Sequence, residues 1–162
     1  MAGSLATLEA LARQFRRREI HKAYLALVWG QVHPARGVIH KPIGRHPVHR
    51  KRMAVRTHGR EAVTHYEVIE RFAQATLLRV FPATGRTHQI RVHLSAIGHP
   101  VVGDATYGRT RAGAPVLLQR QALHAESIRF RHPSSAEEIG VSAPLPADFA
   151  AALAALRKTR VA

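Results

Sequence analysis

The chain has 162 residues, with 25 Lys and Arg against 10 Asp and Glu, which gives a formal net charge of +15. This length suits one domain, residues 1–162, and the charge favours nucleic acid as partner, because bound phosphates release counterions. The absence of cysteine excludes disulfides and thiol chemistry and fits a cytoplasmic location. The longest apolar runs are too short to span a bilayer and no secretory signal is recognised, so we expect no membrane partner.

The first half of the chain predicts one helix followed by strands. Apolar residues recur at three- and four-residue steps near the start: Leu5, Leu8, Ala12 and Phe15. This spacing predicts an amphipathic helix that Ser4 caps and that ends near the basic run 16–18. Residues 24–29 predict a strand. Residues 31–60, rich in Pro, Gly and basic residues, predict irregular chain or short strands, and residues 62–72 and 76–81 predict a β-hairpin.

The second half of the chain predicts two helices and one strand. Residues 87–97 have helical spacing, with Thr87 as the cap and Gly98 at the end. A loop through Pro115 leads to a strand over 122–130. A last helix begins at Pro146 and carries one apolar face, made by Phe149, Leu153 and Leu156. Strands and helices mix without strict alternation, which predicts an α+β fold class.

The densest group of polar residues is the run Thr84-Gly85-Arg86-Thr87-His88-Gln89-Ile90-Arg91-Val92-His93. A glycine-containing turn that enters a helix presents free backbone N–H groups, which suit an anion. Helical spacing places His88, Arg91 and Ser95 on one face. This face is either the wall of an active site or a solvated helix face, and the pattern alone supports both equally.

Basic residues are concentrated between positions 41 and 60, with a peak at His49-Arg50-Lys51-Arg52. A charge run is often only a solvated face, but the whole chain is basic, so we interpret this one as a phosphate-binding surface. Few aromatic residues are available for base stacking. The chain has twelve histidines, but His88 and His93 are five apart and no His-Glu-x-x-His run occurs. No metal or other cofactor is therefore expected.

Three further residues have two interpretations each. A strand tyrosine such as Tyr24 is more often a packing residue than a catalytic one. Asp104 lies in a glycine-flanked loop, where aspartate commonly stabilises a turn. Asp148 lies in the first turn of the predicted last helix, where a carboxylate suits the helix dipole.

These motifs together resemble the RluA-type RNA pseudouridine synthases, which isomerise uridine in ribosomal or transfer RNA. The run from Ala83 to His93, continued by Gly98-His99-Pro100-Val101-Val102-Gly103-Asp104 and Tyr107-Gly108, is similar to the signature of that family. Four other segments resemble the family in the same order: 22–30, 62–68, Leu123-His124-Ala125 and Ala143-Pro144-Leu145-Pro146. The resemblance implies part of a catalytic fold with a mixed, mainly antiparallel sheet and flanking helices, and RNA as partner.

The resemblance also assigns roles to residues. It implies that Tyr24 stacks on the target base and assists proton removal, and that Arg91 pairs with the catalytic aspartate. Leu123 would line the pocket. The expected RNA contacts are Arg86, Thr87, His88, Gln89, Arg50, Lys51 and Arg52.

One family feature is not found in these 162 residues, the His-Arg-Leu-Asp motif that carries the nucleophilic aspartate. We therefore expect an N-terminally truncated catalytic domain that is inactive alone, in which Arg91 has no ion-pair partner and Asp104 is a poor substitute. A cut sheet would expose an edge, so low stability, self-association or a complementing chain is expected. The alternatives are a non-catalytic RNA-binding module or remnant, and a basic ribosome-associated structural protein, which would leave the motif run unexplained.

Overall fold

The computed structural model describes residues 5–108 and 115–159, so the cap predicted at Ser4 lies outside the described residues. The described residues form an α+β fold of three helices and eight strands. In chain order these are α1 (Leu5–Arg16), β1 (His21–Trp29), β2 (Arg36–His40), β3 (Ile43–Arg45), β4 (Met53–Val55), β5 (Val63–Arg71), β6 (Ala75–Pro82), α2 (Gln89–Ala96), β7 (Leu123–Arg131), β8 (Glu138–Ser142) and α3 (Ala147–Thr159).

Six strands form one sheet in the order β2-β5-β6-β1-β7-β8. All five pairings are antiparallel, so the expected mainly antiparallel sheet is confirmed, and no parallel pair occurs within the described part of the chain. Strands β3 and β4 pair separately. We call residues 43–55, which hold β3, β4 and their connecting loop, the basic hairpin.

The register places Tyr24 and helix α2 on the same face of the sheet. Tyr24 lies opposite Val80, and Val80 lies opposite Tyr66 on β5. Paired residues of neighbouring strands project to one face, and so does Thr64, two residues before Tyr66. The Thr64 hydroxyl is 2.7 Å from Nδ1 of His93 in α2. This face of the sheet therefore carries both Tyr24 and helix α2, which we call the motif helix.

Helix α3 belongs to the other face. Its Arg157 binds Glu70, which is in register with Leu77, and Leu77 lies opposite Leu27 on β1. The predicted apolar face of α3 is confirmed, because Phe149, Leu153 and Leu156 are all buried. Pro146 directly precedes the helix, and its carbonyl accepts the N–H of Ala150.

Helix α1 has its predicted bounds, but its apolar side chains are not buried. Leu5, Leu8 and Phe15 are 72%, 62% and 56% exposed. The buried residue is Gln14, whose side-chain amide donates to the carbonyl of Arg131 and accepts its N–H. A polar side chain thus joins the helix to β7, and the amphipathic spacing does not identify the face that contacts the protein.

Helix α2 begins at Gln89 rather than at Thr87, so the predicted cap at Thr87 is wrong. His88 takes the N-cap position with a left-handed backbone (φ 55°) and makes no side-chain cap hydrogen bond. A left-handed residue cannot continue a helix, which moves the start by two positions. The predicted end is confirmed: Gly98 has φ 85° and donates its N–H to the carbonyl of Ser95.

Candidate functional site

Gln89 holds the turn Thr84-Gly85-Arg86, which we call the motif turn, against strand β5. Its Oε1 accepts the Thr84 hydroxyl at 2.7 Å and the Arg86 N–H at 3.0 Å. Its Nε2 donates to the Val63 carbonyl and the Thr64 hydroxyl, both at 2.9 Å. Because Gln89 is buried and its amide is satisfied inside the protein, the side chain positions the turn and presents no free group to a ligand.

His93 continues this network toward the basic hairpin. The ring is fully buried, with Nδ1 2.7 Å from the Thr64 hydroxyl and Nε2 2.8 Å from the Lys41 carbonyl. A carbonyl only accepts, so Nε2 carries the proton and Nδ1 accepts from Thr64. Burial lowers the pKa of His93 below its ordinary value, so the neutral ring is favoured.

Arg91 and Asp104 form a buried ion pair. Arg91 Nε and Nη2 donate to Oδ2 and Oδ1 of Asp104, both at 2.8 Å, and the Asp104 side chain has no exposed surface. Oδ1 also accepts the N–H groups of Thr106 and Tyr107. Burial alone opposes the charged carboxylate, but the bonds from Arg91 and the backbone outweigh it and lower the pKa of Asp104. The expectation that Arg91 has no ion-pair partner is therefore wrong.

Tyr107 joins α2 to the basic hairpin. The Arg91 guanidinium lies 4.9 Å from the centre of its ring, and its hydroxyl is 2.7 Å from Nδ1 of His88. The same hydroxyl accepts the N–H of Met53 in β4 at 2.9 Å, and the Tyr107 carbonyl accepts the Ser95 hydroxyl. His88, Arg91 and Ser95 thus share one face, as their spacing predicts. That face contacts Tyr107 and is not simply a solvated helix face.

Tyr24 is half-buried on β1 and lines a cavity of 220 Å³ between β1, β7 and β8. A β-bulge separates Ala23 and Tyr24 in the pairing with β7. Leu123 lies opposite Ala26, two residues from Tyr24, so both side chains project to the face that carries α2.

A second cavity, of 570 Å³, lies between the end of α1 and the motif turn, and we call it the basic cavity. Its cationic lining residues are Arg16, Arg18, Lys22, Arg60 and Arg86. The acidic neighbour is Glu61, 3.7 Å from Arg18, and Arg86 Nε donates to the Glu61 carbonyl. Positive charge therefore exceeds negative charge around a space large enough for a small anion.

The first 96 residues match the family described as RNA pseudouridylate synthase. This chain belongs to that family. It is 52% identical over 159 residues to ribosomal large subunit pseudouridine synthase D of Nitrosomonas europaea, covering 93% of this chain and 46% of that protein. It is 45% identical to the protein of the same name from Xanthomonas campestris pv. campestris, covering 98% of this chain and 50% of that one. The chain thus spans about half the length of these curated relatives.

Solved structures of family members have the same fold. The human RNA pseudouridylate synthase domain containing 1 protein superposes with a TM-score of 0.73 at 35% identity, over 88% of this chain and 61% of that one. The human domain containing 4 protein gives a TM-score of 0.74 at 26% identity, over 95% and 69%. The fold class inferred from the sequence is therefore that of the pseudouridine synthases.

The structure brings together only part of the residue set that the sequence predicts for the site. Arg86 lines the basic cavity. Of the three residues that follow it in the chain, Thr87 and His88 are exposed and Gln89 is buried. Three exposed residues lie in the loop of the basic hairpin: Arg50, Lys51 and Arg52. Among the described residues, no hydrogen bond or cation–π contact joins Arg91 to Tyr24.

Sequence reasoning left Lys22 and Tyr107 without a role. Lys22 was identifiable, because it lies two residues before Tyr24 and a strand places such pairs on one face. Spacing gave no signal for the contacts of the Tyr107 side chain, since Met53, His88 and Arg91 are 16 to 54 positions away in the chain. Within residues 5–108 and 115–159, no cluster of three or more His, Asp or Glu is arranged to hold a metal ion. No helix in the same ranges is long and apolar enough to cross a membrane.

Proposed function

We propose that this chain forms the RNA-binding and lower active-site half of an RNA pseudouridine synthase, as a single domain over residues 1–162 acting in the cytoplasm. The observation that carries the proposal is that Tyr24, Leu123 and the motif helix α2 share one sheet face, with the basic cavity at the motif turn. The names of the relatives point to ribosomal RNA as substrate; transfer RNA is the alternative.

The proposed site requires a uridine that has left its base stack. An enzyme that acts on a base in a folded RNA must extrude it into a pocket. In this proposal Tyr24 stacks on the extruded uracil and assists proton removal, and Leu123 forms the pocket wall. Arg86, together with the loop of the basic hairpin, binds the phosphates on either side.

We further propose that the isolated chain does not catalyse the isomerisation. The family mechanism needs a carboxylate nucleophile, and the chain contains two aspartates. Asp104 is buried and accepts four hydrogen bonds, two of them from Arg91. Asp148, in the first turn of α3, is bound by Arg120. Neither carboxylate is placed to attack a nucleotide on the face of Tyr24.

The second candidate function is a non-catalytic RNA-binding module. It is favoured by the ion pairs that hold both aspartates, because the chain then keeps basic surfaces for RNA but offers no aspartate as nucleophile. A chimaera discriminates the two: this chain is joined to the part of the Nitrosomonas europaea relative that it does not match. Under the enzyme proposal the chimaera forms pseudouridine in unmodified ribosomal RNA, and Tyr24→Phe abolishes the product without weakening RNA binding. A folded chimaera that binds RNA and forms no product supports the binding module.

Self-association or a complementing chain at an exposed sheet edge remains a proposal, and the exposed apolar side chains of α1 provide a second surface for self-association. Leu5, Leu8 and Phe15 expose large apolar side chains on α1, which is costly in water. We propose that a second copy of the chain covers them. Sedimentation at increasing concentration should show a dimer or larger species, and Leu8→Glu should shift the distribution to monomer. A concentration-independent monomer would remove this part of the proposal.

A further inference from the structure

We propose that Lys22 forms a phosphate-binding subsite with the turn Thr84-Gly85-Arg86, and that its ligand is one phosphate of the RNA strand next to the nucleotide at Tyr24. This rests on the proposed function, because it takes RNA to be the ligand. It adds Lys22 to the RNA-binding residues and places one phosphate at the motif turn. The subsite differs from the basic hairpin, whose charges lie elsewhere on the chain.

The geometry places the Lys22 ammonium at the motif turn. A methyl group built on Gly85 would lie 3.4 Å from Lys22 Nζ, so the ammonium is in contact range of the turn. Lys22 also lines both the basic cavity and the smaller cavity of Tyr24. An anion bound at Nζ would therefore lie between the motif turn and the tyrosine.

Lys22 is a half-buried cation without a protein counter-charge. No carboxylate lies within ion-pair distance of Nζ, and Nζ donates no hydrogen bond, among residues 5–108 and 115–159. Burial lowers the pKa of the Lys22 ammonium, and no neighbouring acid offsets the effect. A buried charge normally needs a partner, so its retention at a cavity indicates a partner from outside the chain.

A phosphate is the anion that fits the surroundings best. Arg86 lines the same cavity, and its Nε is bonded to the Glu61 carbonyl, which aims the guanidinium without neutralising it. The backbone N–H groups of Gly85 and Thr87, on either side of the Arg86 N–H that Gln89 accepts, donate to no acceptor within the described residues and are available to phosphate oxygens. The chain as a whole is strongly basic, which favours a polyanion over a single small carboxylate.

The test compares Lys22→Gln with Lys158→Gln, which removes the same charge from the exposed end of α3. Binding of a short RNA stem–loop with uridines in its loop is measured at fixed salt. Lys22→Gln should weaken binding about tenfold, since a charge-assisted hydrogen bond is lost. Lys158→Gln should change it less than about twofold, and Lys22→Arg should restore most of the affinity. Equal effects of the two glutamine variants would overturn the subsite.

Two further readouts separate ligand binding from a structural role and from failure of the proposed function. Lys22→Gln should leave the unfolding midpoint unchanged or raise it, because an unpaired buried charge is removed; a lowered midpoint with normal RNA binding would contradict the proposal.

In the second readout, neutral methylphosphonates are introduced singly along the RNA. One position should weaken binding by the wild-type chain and have no effect on Lys22→Gln. Wild-type chain that binds no RNA would refute the proposed function itself, whereas RNA binding insensitive to Lys22 would refute only the subsite.

Discussion

Arg91 and Asp104 are joined by two hydrogen bonds of 2.8 Å in a site where the carboxylate has no exposed surface. The pair links the motif helix to the loop after it, and the same carboxylate holds the N–H of Tyr107. Through Tyr107 the link extends to Met53 in the basic hairpin. The motif helix and the hairpin that carries the expected phosphate contacts are thus parts of one hydrogen-bonded unit.

Asp104→Asn should destabilise the protein strongly. Removing one partner of a buried pair leaves an unpaired guanidinium, which costs about 3 kcal/mol of the free energy of unfolding. Denaturant unfolding measures the change, and Asp148→Asn is the matched control, because Asp148 makes a bidentate pair with Arg120 at the surface. The control should lose much less stability. Equal losses in the two variants would show that burial of the Arg91 pair is energetically unimportant.

The buried His93 should make the fold sensitive to mild acid. Its folded pKa lies below the ordinary value of 6.5, so the unfolded chain binds a proton at a pH where the folded ring does not. The contribution of neutral His93 to the free energy of unfolding is therefore complete above about pH 6.5. It decreases as the pH drops from there toward the folded pKa. Unfolding curves at several pH values measure this slope. His93→Gln should flatten it, whereas the exposed-site variant His58→Gln should keep it; an unchanged slope in His93→Gln would refute the assignment.

Tyr107→Phe should loosen the basic hairpin and leave the sheet intact. The variant removes the acceptor of the Met53 N–H and the hydroxyl at His88, but it keeps the ring under Arg91. Hydrogen exchange of the Met53 amide should accelerate by about tenfold, the equivalent of one hydrogen bond. The Leu27 amide, bonded to the Ala122 carbonyl in the sheet, provides an internal control. Unchanged exchange at Met53 would mean that other contacts hold the hairpin.

The loop of the basic hairpin should contribute to RNA binding through charge. Lys51→Ala should lower the slope of log affinity against log salt by about one, because one fewer counterion is released. Lys158→Ala removes the same charge at the end of α3 and should leave the slope unchanged. Titrations at three or more salt concentrations give both slopes. A wild-type slope near zero, or equal slopes in both variants, would remove the hairpin from the RNA interface.

Local patterns predicted the elements whose signals are contained within a few residues. The hairpin of β5 and β6, the end of α2 at Gly98 and the buried face of α3 all follow from spacing and turn chemistry. Strand β8 was not predicted, because it is a short edge strand without a buried residue and so has no apolar alternation. The exposed face of α1 was not predicted either, since spacing reports that a helix is amphipathic and not what covers it.

The contacts that define the candidate site were beyond sequence reasoning for a different reason. The resemblance identified the motif, but the pairing of Arg91 with Asp104 depends on how a loop folds back over α2. The bond from Met53 to Tyr107 spans 54 positions. Such pairings are set by the packing of distant segments, and no periodicity or spacing within a single segment encodes them. The unpaired Arg91 is a wrong prediction of this kind, whereas the cap predicted at Thr87 is wrong for a local reason, the left-handed backbone of His88.

The most direct test of the central claim is a pseudouridine assay with the purified chain on unmodified ribosomal and transfer RNA transcripts, with RNA binding measured in the same samples. We predict salt-sensitive binding and no pseudouridine, because Asp104 and Asp148 are held in ion pairs and Glu126, which lines the cavity of Tyr24, is bonded to Arg79. Pseudouridine formed by this chain alone, and lost in Tyr24→Phe, would show that it holds its own nucleophile and would contradict the account.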